Sequence, residues 1–279
     1  QEVLDQFIRT LPPLVNWEKR SDAYAVLVGA NRYKKMPGRH FADRDVMNLR
    51  QLLVSRSWFM DDAQHIRQRV DHEVTQSVLQ RDVEWLVTQG RTNPNAMLLF
   101  YYSGHGWLHH PQGGQAEAML MPIDADPQQL TPETGYSLNQ LKSDLAALPN
   151  KEIVVIIDAC FNQNPECTPW RAASASSATG KKGGSSTLFG VGKPWLVATV
   201  NGAAHPYPPG RQSSFSYFLL RGLLGEADGL ADGKRDGWVD ATEAFHYARN
   251  RLADKHLAMD PLLTAPTARV RLSRIGGER

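Results

Sequence analysis

Residues 151–161 read KEIVVIIDACF, an apolar run of strand length that ends in small residues and then presents one thiol, Cys160. Residues 96–106, AMLLFYYSGHG, follow the same plan and present His105. Continuous apolar runs of this length are typical of parallel strands that are buried on both faces. Functional groups gather at the carboxyl ends of such strands. The two segments therefore predict an imidazole and a thiol at one sheet edge, the minimum apparatus of a cysteine nucleophile with its base.

The remaining hydrophobic patterns predict further strands and helices around these two segments. Strands are predicted over residues 24–30, 118–121 and 195–200, and helices over residues 43–56, 73–88, 138–148, 213–224 and 241–256. Strands that alternate with helices in this way predict an α/β fold with a mostly parallel sheet wrapped by helices.

Composition divides the chain into four parts. Residues 1–20 are an N-terminal extension, and residues 21–162 form a larger portion that contains both motifs. Residues 163–190 are rich in Ser, Ala, Gly and Pro without periodicity, which predicts a flexible linker or loop. Residues 191–279 contain too few elements for a separate core, so we expect this smaller portion to complete the same sheet.

Charge and cysteine content exclude several classes of protein. The 31 basic and 29 acidic residues are scattered, which argues against a nucleic-acid-binding face or a polybasic membrane anchor. No apolar stretch reaches the roughly 18 residues of a membrane span, and no signal peptide opens the chain. With only Cys160 and Cys167, a disulfide framework is not expected, and we predict a reducing, cytoplasmic location.

The two motifs in this order resemble the caspase-like cysteine peptidases, the clan of caspases, metacaspases and their bacterial relatives. The similarity comprises Ser-Gly-His-Gly at 103–106, Asp-Ala-Cys at 158–160, the early acid Asp45 and Phe-Ser-Tyr at 215–217. It extends over residues 22–257 and is greatest to the bacterial metacaspase-like proteases. The resemblance implies a three-layer α/β sandwich, in which helices flank a mostly parallel central sheet.

The resemblance also implies the roles of the reacting groups. Cys160 becomes the nucleophile and His105 the general acid and base, and the backbone N–H groups of Gly106 and Cys160 form an oxyanion hole. Each such donor is worth about 2.7–4 kcal/mol in related chemistry. Two alternatives compete with these roles: Cys160 as an inert small hydrophobic residue, and His105 as a capping or metal-binding residue. No metal is expected, because the histidines lack a CxxC partner or an HExxH frame.

Three further residues are expected to bind substrate. In metacaspase-like enzymes the positions that match Asp45, Ser103 and Asp158 line a pocket for the basic residue before the scissile bond. The resemblance therefore implies cleavage of protein or peptide substrates after Arg or Lys. Arg39 opposes this interpretation, because it lies near the position where caspases that cut after Asp carry a pocket arginine. An internal ion pair of Arg39 with the two acids, or a preference for acidic substrates, stays open.

Several expectations concern regulation. The Gln1 start favours a protease module of a larger regulated protein, such as one with a fused sensor domain. With a basic preference, Arg171, Lys181 and Lys182 of the linker become candidates for self-cleavage. The alternative from another class is a catalytically silent caspase-like scaffold.

Local helix chemistry explains some remaining acids without any cofactor. Asp43 is predicted to cap the first helix. Residues 232–243, DGKRDGWVDATE, match a calcium-binding EF-hand loop only in part, because Lys234 stands where a ligand oxygen is expected. The preferred interpretation is a turn followed by a capping box of Asp240 and Glu243. No cofactor is predicted.

Overall fold

Six strands form the central sheet of the computed structural model, which describes residues 18–110, 116–162, 195–199, 206–207, 211–230, 233–255, 261–264 and 269–276. In spatial order the strands are β13 (Leu262–Thr264), β9 (Trp195–Thr199), β7 (Ile153–Ala159), β3 (Met97–Ser103), β1 (Ala23–Gly29) and β2 (Ile66–Val70). All neighbours are parallel except β13, which runs antiparallel to β9. The predicted mostly parallel sheet is confirmed. Strands β9 and β13 follow residues 163–190 in the chain and lie in this same sheet.

The two apolar segments that carry His105 and Cys160 at their ends form the central strands β3 and β7. All seven residues of β3 and all seven of β7 are buried. Alternate residues of each strand point to opposite faces, so Leu99 and Ile156 join one apolar cluster while Leu98 and Ile157 join the other. Burial on both faces explains why these strands read as continuous apolar runs.

Within the described ranges, five α-helices cover the sheet in two layers. They are α1 (Ala42–Arg56), α2 (Gln76–Thr92), α3 (Leu138–Ala146), α4 (Ser214–Arg221) and α5 (Ala241–Asp254). Apolar residues of α1, α4 and α5 pack in one cluster, and those of α2 and α3 pack in the other. The arrangement is the three-layer α/β sandwich that the resemblance implied. None of the helices in the described ranges has the length and apolarity to cross a membrane.

Short strands continue the chain beyond the carboxyl ends of β3 and β7. A four-stranded sheet contains, in spatial order, β6 (Tyr136–Ser137), β5 (Glu117–Leu120), β4 (Gly106–His109) and β8 (Phe161–Asn162). Two pairs lie apart from it: β10 (Pro206–Tyr207) with β11 (Gln212–Ser213), and β12 (Trp238–Asp240) with β14 (Arg271–Arg274). Residues 104–105 therefore connect β3 to β4, and residue 160 connects β7 to β8, at the same edge of the central sheet.

Strand β2 was missing from the predicted order. Its sequence, IRQRV, contains two arginines because it lies at the edge of the sheet, where only Ile66 is fully buried. Arg67 and Arg69 bind the buried carboxylate of Asp82 at 2.9 and 2.6 Å. An ion-paired edge strand lacks the apolar run on which the sequence prediction depends.

Helix starts provide one confirmation and two corrections. Asp240 accepts a hydrogen bond from the Glu243 N–H at 2.8 Å, and the predicted capping box is confirmed. Helix α2 begins at Gln76 rather than residue 73, because residues 71–73 form a separate turn of 3₁₀ helix. Asp43 is not the cap of α1: Phe41 holds that position with φ 76°, and the side chain of Asn31 accepts the Ala42 N–H at 2.8 Å.

Some sequence predictions lie outside the described residues. These are most of the N-terminal extension, the linker over residues 163–190 with Arg171, Lys181 and Lys182, and the second cysteine, Cys167.

Candidate active site

Strand register places His105 opposite Cys160. Ser103 pairs with Asp158 at the end of the central sheet, and Gly106 pairs with Phe161 where the small sheet begins. The residue numbers in these two pairs differ by the same amount, so the register does not change across the gap, which is residues 104–105 on one segment and residues 159–160 on the other. The residues within the gap therefore stand on adjacent chain segments, about 4.8 Å apart in a regular ladder. A hydrogen bond from the Gly104 N–H to the Asp158 carbonyl, at 3.2 Å, joins the two segments there.

The His105 ring is held in one orientation by its neighbours. Its Nε2 lies 2.9 Å from the carbonyl oxygen of Pro37. A carbonyl only accepts, so Nε2 carries the proton and the lone pair of the neutral ring is on Nδ1. The Tyr33 ring packs against the imidazole at 4.7 Å between centroids, and the Tyr33 hydroxyl accepts the His105 N–H at 2.6 Å. Burial and the nearby charge of Arg39 lower the pKa of His105 to about 4, so the imidazole is neutral at neutral pH.

Both glycines beside His105 are required by close packing. A Cβ on Gly104 would lie 2.5 Å from the Tyr102 hydroxyl oxygen. A Cβ on Gly106 would lie 2.6 Å from the Phe161 ring and 2.8 Å from the Cys160 carbonyl oxygen. A side chain at either position would have to displace these neighbours, so glycine keeps the backbone close to them on both sides of His105.

Cys160 follows β7 directly and is 1% exposed. Its side chain belongs to the apolar cluster that includes Tyr101 and Phe215. The thiol is not part of a disulfide among the described residues, and it is enclosed. Strand alternation places it on the same side of β7 as Asp158, two residues earlier.

The three predicted pocket residues meet in one buried cluster. The Ser103 hydroxyl donates to Asp45 Oδ2 at 3.0 Å, and Ser103 is the register partner of Asp158. All three are 0% exposed. Helix α1 brings Asp45 this close because Gly29 has no side chain: a Cβ there would overlap the Ala42 carbonyl oxygen.

Helix α4 supplies residues that sequence analysis did not assign to the site. The Ser213 N–H donates to Asp45 Oδ1 at 3.0 Å, while the Ser213 hydroxyl donates to Asp158 Oδ2. The Ser216 hydroxyl also donates to Asp158 Oδ2, at 2.7 Å, and lies 2.6 Å from the Tyr101 hydroxyl. The Ser216 hydroxyl proton is used on Asp158, so Tyr101 is the donor to Ser216. Ser213 was recognisable only as the start of a helix.

Arg39 completes the cluster with a positive charge. Its guanidinium lies 3.4 Å from Asp158 Oδ1 and donates to the Asp158 carbonyl at 3.0 Å and to the Gly104 carbonyl. The side chain is 6% exposed. Of the internal ion pair of Arg39 with two acids that the sequence left open, the pair with Asp158 is present.

Two carboxyl groups and one guanidinium do not balance unless one acid is protonated. Burial, and then the charge of Asp158, raise the pKa of Asp45 to about 8. Asp45 is consequently protonated for the most part at neutral pH. The cluster then has no net charge, which is the least costly state for buried ionisable groups.

Replacing Asp45 with asparagine is expected to remove a pH-dependent loss of stability. The pKa of Asp45 in the folded state lies above its ordinary value of 3.8. The Asp45 carboxyl group therefore contributes its full stabilisation of the fold below pH 3.8, and this stabilisation is lost as the pH rises to about 8. The loss is at most about 1.4 kcal/mol per pH unit. We expect the wild-type free energy of unfolding, measured in urea, to fall relative to that of Asp45→Asn between about pH 5 and pH 8.

The lowered pKa of His105 acts in the opposite direction, because that contribution is lost as the pH falls from 6.5 to about 4. It is common to both proteins and cancels in the comparison. Equal pH dependence in the two proteins would contradict a protonated Asp45.

The histidines and acids of the described residues do not form a metal site. In the part of the chain that the structure describes, no three His, Cys, Asp or Glu side chains converge as a metal site requires. His109 ends β4, and His110 follows it as an exposed residue.

Comparison with known proteins identifies the family. The caspase domain of the peptidase C14 family matches residues 22–264. No match was found among curated protein sequences. Among solved structures, pro-sf-caspase-1 has a similar fold, with a TM-score of 0.55 and 14% sequence identity over 97% of this chain and 96% of that chain. The chain therefore belongs to the caspase domain family and is a cysteine-type endopeptidase with the α/β fold of that family.

Proposed function

We propose that this endopeptidase uses Cys160 as its nucleophile and His105 as its acid and base, and that it cleaves protein substrates after arginine or lysine. The observation that carries the dyad is the shared register of the two segments, which sets these residues opposite each other. The substrate preference is supported by the buried carboxylate of Asp158, which lies on one of these segments, and by the acid Asp45, which is bound to Ser103 on the other.

The reaction begins with proton transfer from the Cys160 thiol to His105 Nδ1, the ring atom that holds the lone pair. The sulfur then attacks the carbonyl carbon of the scissile bond, and the resulting oxyanion accepts hydrogen bonds from the Gly106 and Cys160 N–H groups. His105 returns the proton to the departing amine as the C–N bond breaks. Water, deprotonated by the same imidazole, hydrolyses the thioester and regenerates the thiol.

The Pro37 carbonyl has a defined part in this scheme. It fixes the tautomer of His105 through Nε2. The carbonyl also stabilises the imidazolium that forms when Nδ1 takes the thiol proton, because it accepts a hydrogen bond from a charged donor. Since Cys160 is 1% exposed, the segments that cover it have to move before a peptide bond reaches the sulfur.

A basic residue before the scissile bond is the preferred substrate feature. A substrate guanidinium or ammonium in this cluster finds the Asp158 carboxylate and neighbouring carbonyl oxygens. A substrate carboxylate would instead face Asp158 at close range, which is electrostatically unfavourable. The second candidate is a preference for acidic residues, and the observation that favours it is the buried Arg39. The enclosed thiol favours a third candidate, a silent scaffold.

We further propose a regulated setting for the enzyme. A thiol nucleophile has to stay reduced, which favours the cytoplasm. The resemblance to bacterial metacaspase-like proteases favours a sensor domain, fused or associated, that controls access to the enclosed Cys160.

Peptide chloromethylketones test the proposed activity directly. An arginyl probe is expected to alkylate Cys160 at least about tenfold faster than the matched aspartyl probe, because a charge-assisted pair is worth roughly 1.5–3 kcal/mol. The measurement is the rate of mass gain, mapped to the peptide that contains Cys160. Cys167 is the internal control for unspecific thiol alkylation. A silent scaffold reacts with neither probe at Cys160, and an acid-directed protease reacts faster with the aspartyl probe.

A further inference from the structure

Arg39 occupies the space in which the proposed function places the basic side chain of a substrate. Its two terminal nitrogens reach the Gly104 carbonyl, the Asp158 carbonyl at 3.0 Å and Asp158 Oδ1 at 3.4 Å. An arriving arginine or lysine requires acceptors of the same kind. With 6% exposure, the Arg39 side chain is seated within the cluster rather than at its rim.

The acceptors of Arg39 belong to the segments that carry the proposed dyad. Gly104 directly precedes His105, and Asp158 stands two residues before Cys160. By donating to both carbonyls, the guanidinium joins the two segments beside the enclosed thiol. The same contacts therefore fill the acidic cluster beside the proposed dyad.

The acceptors of the cluster serve one cation at a time. Arg39 binds the Gly104 carbonyl, the Asp158 carbonyl and Asp158 Oδ1. Asp158 Oδ2 accepts from the Ser213 and Ser216 hydroxyls, and the two oxygens of Asp45 accept from the Ser213 N–H and the Ser103 hydroxyl. A substrate cation therefore replaces the guanidinium of Arg39 rather than joining it.

The loop that carries Arg39 allows such an exchange. The Arg39 N–H donates to the Asn31 carbonyl at 2.9 Å, so the backbone is held independently of the guanidinium. The Pro37 carbonyl remains bound to His105 through its own hydrogen bond. The long side chain of Arg39 has several rotatable bonds. It leaves the cluster without moving the carbonyl that orients the catalytic imidazole.

We propose that Arg39 is an internal competitor of the substrate: its guanidinium fills the acidic cluster of the resting enzyme, and the basic side chain of the substrate displaces it. This inference rests on the proposed preference for a basic residue before the scissile bond. It explains why an acidic pocket contains a buried arginine.

Benzamidine, an amidinium probe, tests the competition by calorimetric titration of the whole chain. Removing the competitor in Arg39→Met is expected to lower the Kd for benzamidine at least about tenfold. Arg32→Met is the matched control, since Arg32 lies in the same loop and is 87% exposed; its Kd is expected to equal that of the wild type. In cleavage assays the Arg39→Met variant is expected to show a lower KM for arginyl peptides.

An unchanged or weaker affinity for benzamidine in Arg39→Met overturns the inference. Loss of cleavage of aspartyl peptides in that variant also overturns it, because Arg39 then reads an acidic substrate. If Arg39→Met does not fold, Arg39→Gln decides, because glutamine removes the charge and keeps an N–H donor for the backbone carbonyls: tighter binding than wild type supports competition, and equal or weaker binding rejects it. If Arg39→Met binds benzamidine as the wild type does and still cleaves arginyl peptides efficiently, the role of Arg39 as a competitor is rejected and the proposed substrate preference stands. Tighter binding without any cleavage of arginyl peptides rejects the proposed peptidase specificity alone.

Discussion

Replacing Cys160 with alanine is expected to lower kcat/KM for arginyl peptides by about 10,000-fold or more, because no other group supplies the covalent step. The fold is expected to survive. Cys160 is packed as a small apolar side chain, and loss of one sulfur atom from such a site costs about 1 kcal/mol. The measurements are peptide cleavage and thermal unfolding of the same preparation.

Cys167→Ala provides the matched control, since it removes the other thiol of the chain by the same substitution. We expect it to keep the wild-type kcat/KM. His105→Ala and the double variant with Cys160→Ala serve as a second check: residues that act as a unit are not additive, so the double variant is expected to be no slower than the single ones. A Cys160→Ala protein that keeps a tenth of wild-type cleavage would falsify the nucleophile assignment.

The part of the site that sequence reasoning reached is the part encoded within single segments. Strands β3 and β7 are apolar throughout because both faces are buried, and their first polar residues mark the sheet edge. The position of His105 opposite Cys160 then follows from parallel pairing alone. Asp45 is expected in the pocket from the resemblance; it lies buried beside Ser103, and its role in substrate binding stays a prediction.

The residues that the sequence did not reveal act through backbone atoms or across long separations. The Pro37 carbonyl binds His105, but any residue at that position carries a carbonyl group. Ser213, directly before helix α4, binds both acids, and a serine at this position is ordinarily only a cap. The edge strand β2 has no apolar run, because its arginines pair with Asp82. Only tertiary packing brings these groups together.

Replacing Asp158 with asparagine is expected to remove the preference for a positive charge in the substrate. The matched substrates are peptides that differ only by arginine or citrulline before the scissile bond, because citrulline keeps the shape of arginine without its charge. The ratio of their kcat/KM values is expected to fall by roughly 30-fold or more, since one partner of a buried charge pair is lost. Asparagine keeps the volume of the aspartate side chain, so the loss reflects charge rather than packing.

The same substitution is expected to destabilise the fold by about 1–3 kcal/mol, because the Arg39 guanidinium loses its carboxylate partner. Asp82→Asn separates this effect from substrate recognition. Asp82 is also 0% exposed and also binds arginines, but it lies on α2 against strand β2. Both variants are expected to lose stability, while only Asp158→Asn loses discrimination between arginine and citrulline. Unchanged discrimination in Asp158→Asn, with wild-type-like cleavage of both peptides, means that Asp158 is a structural partner of Arg39 and that the basic residue is read elsewhere.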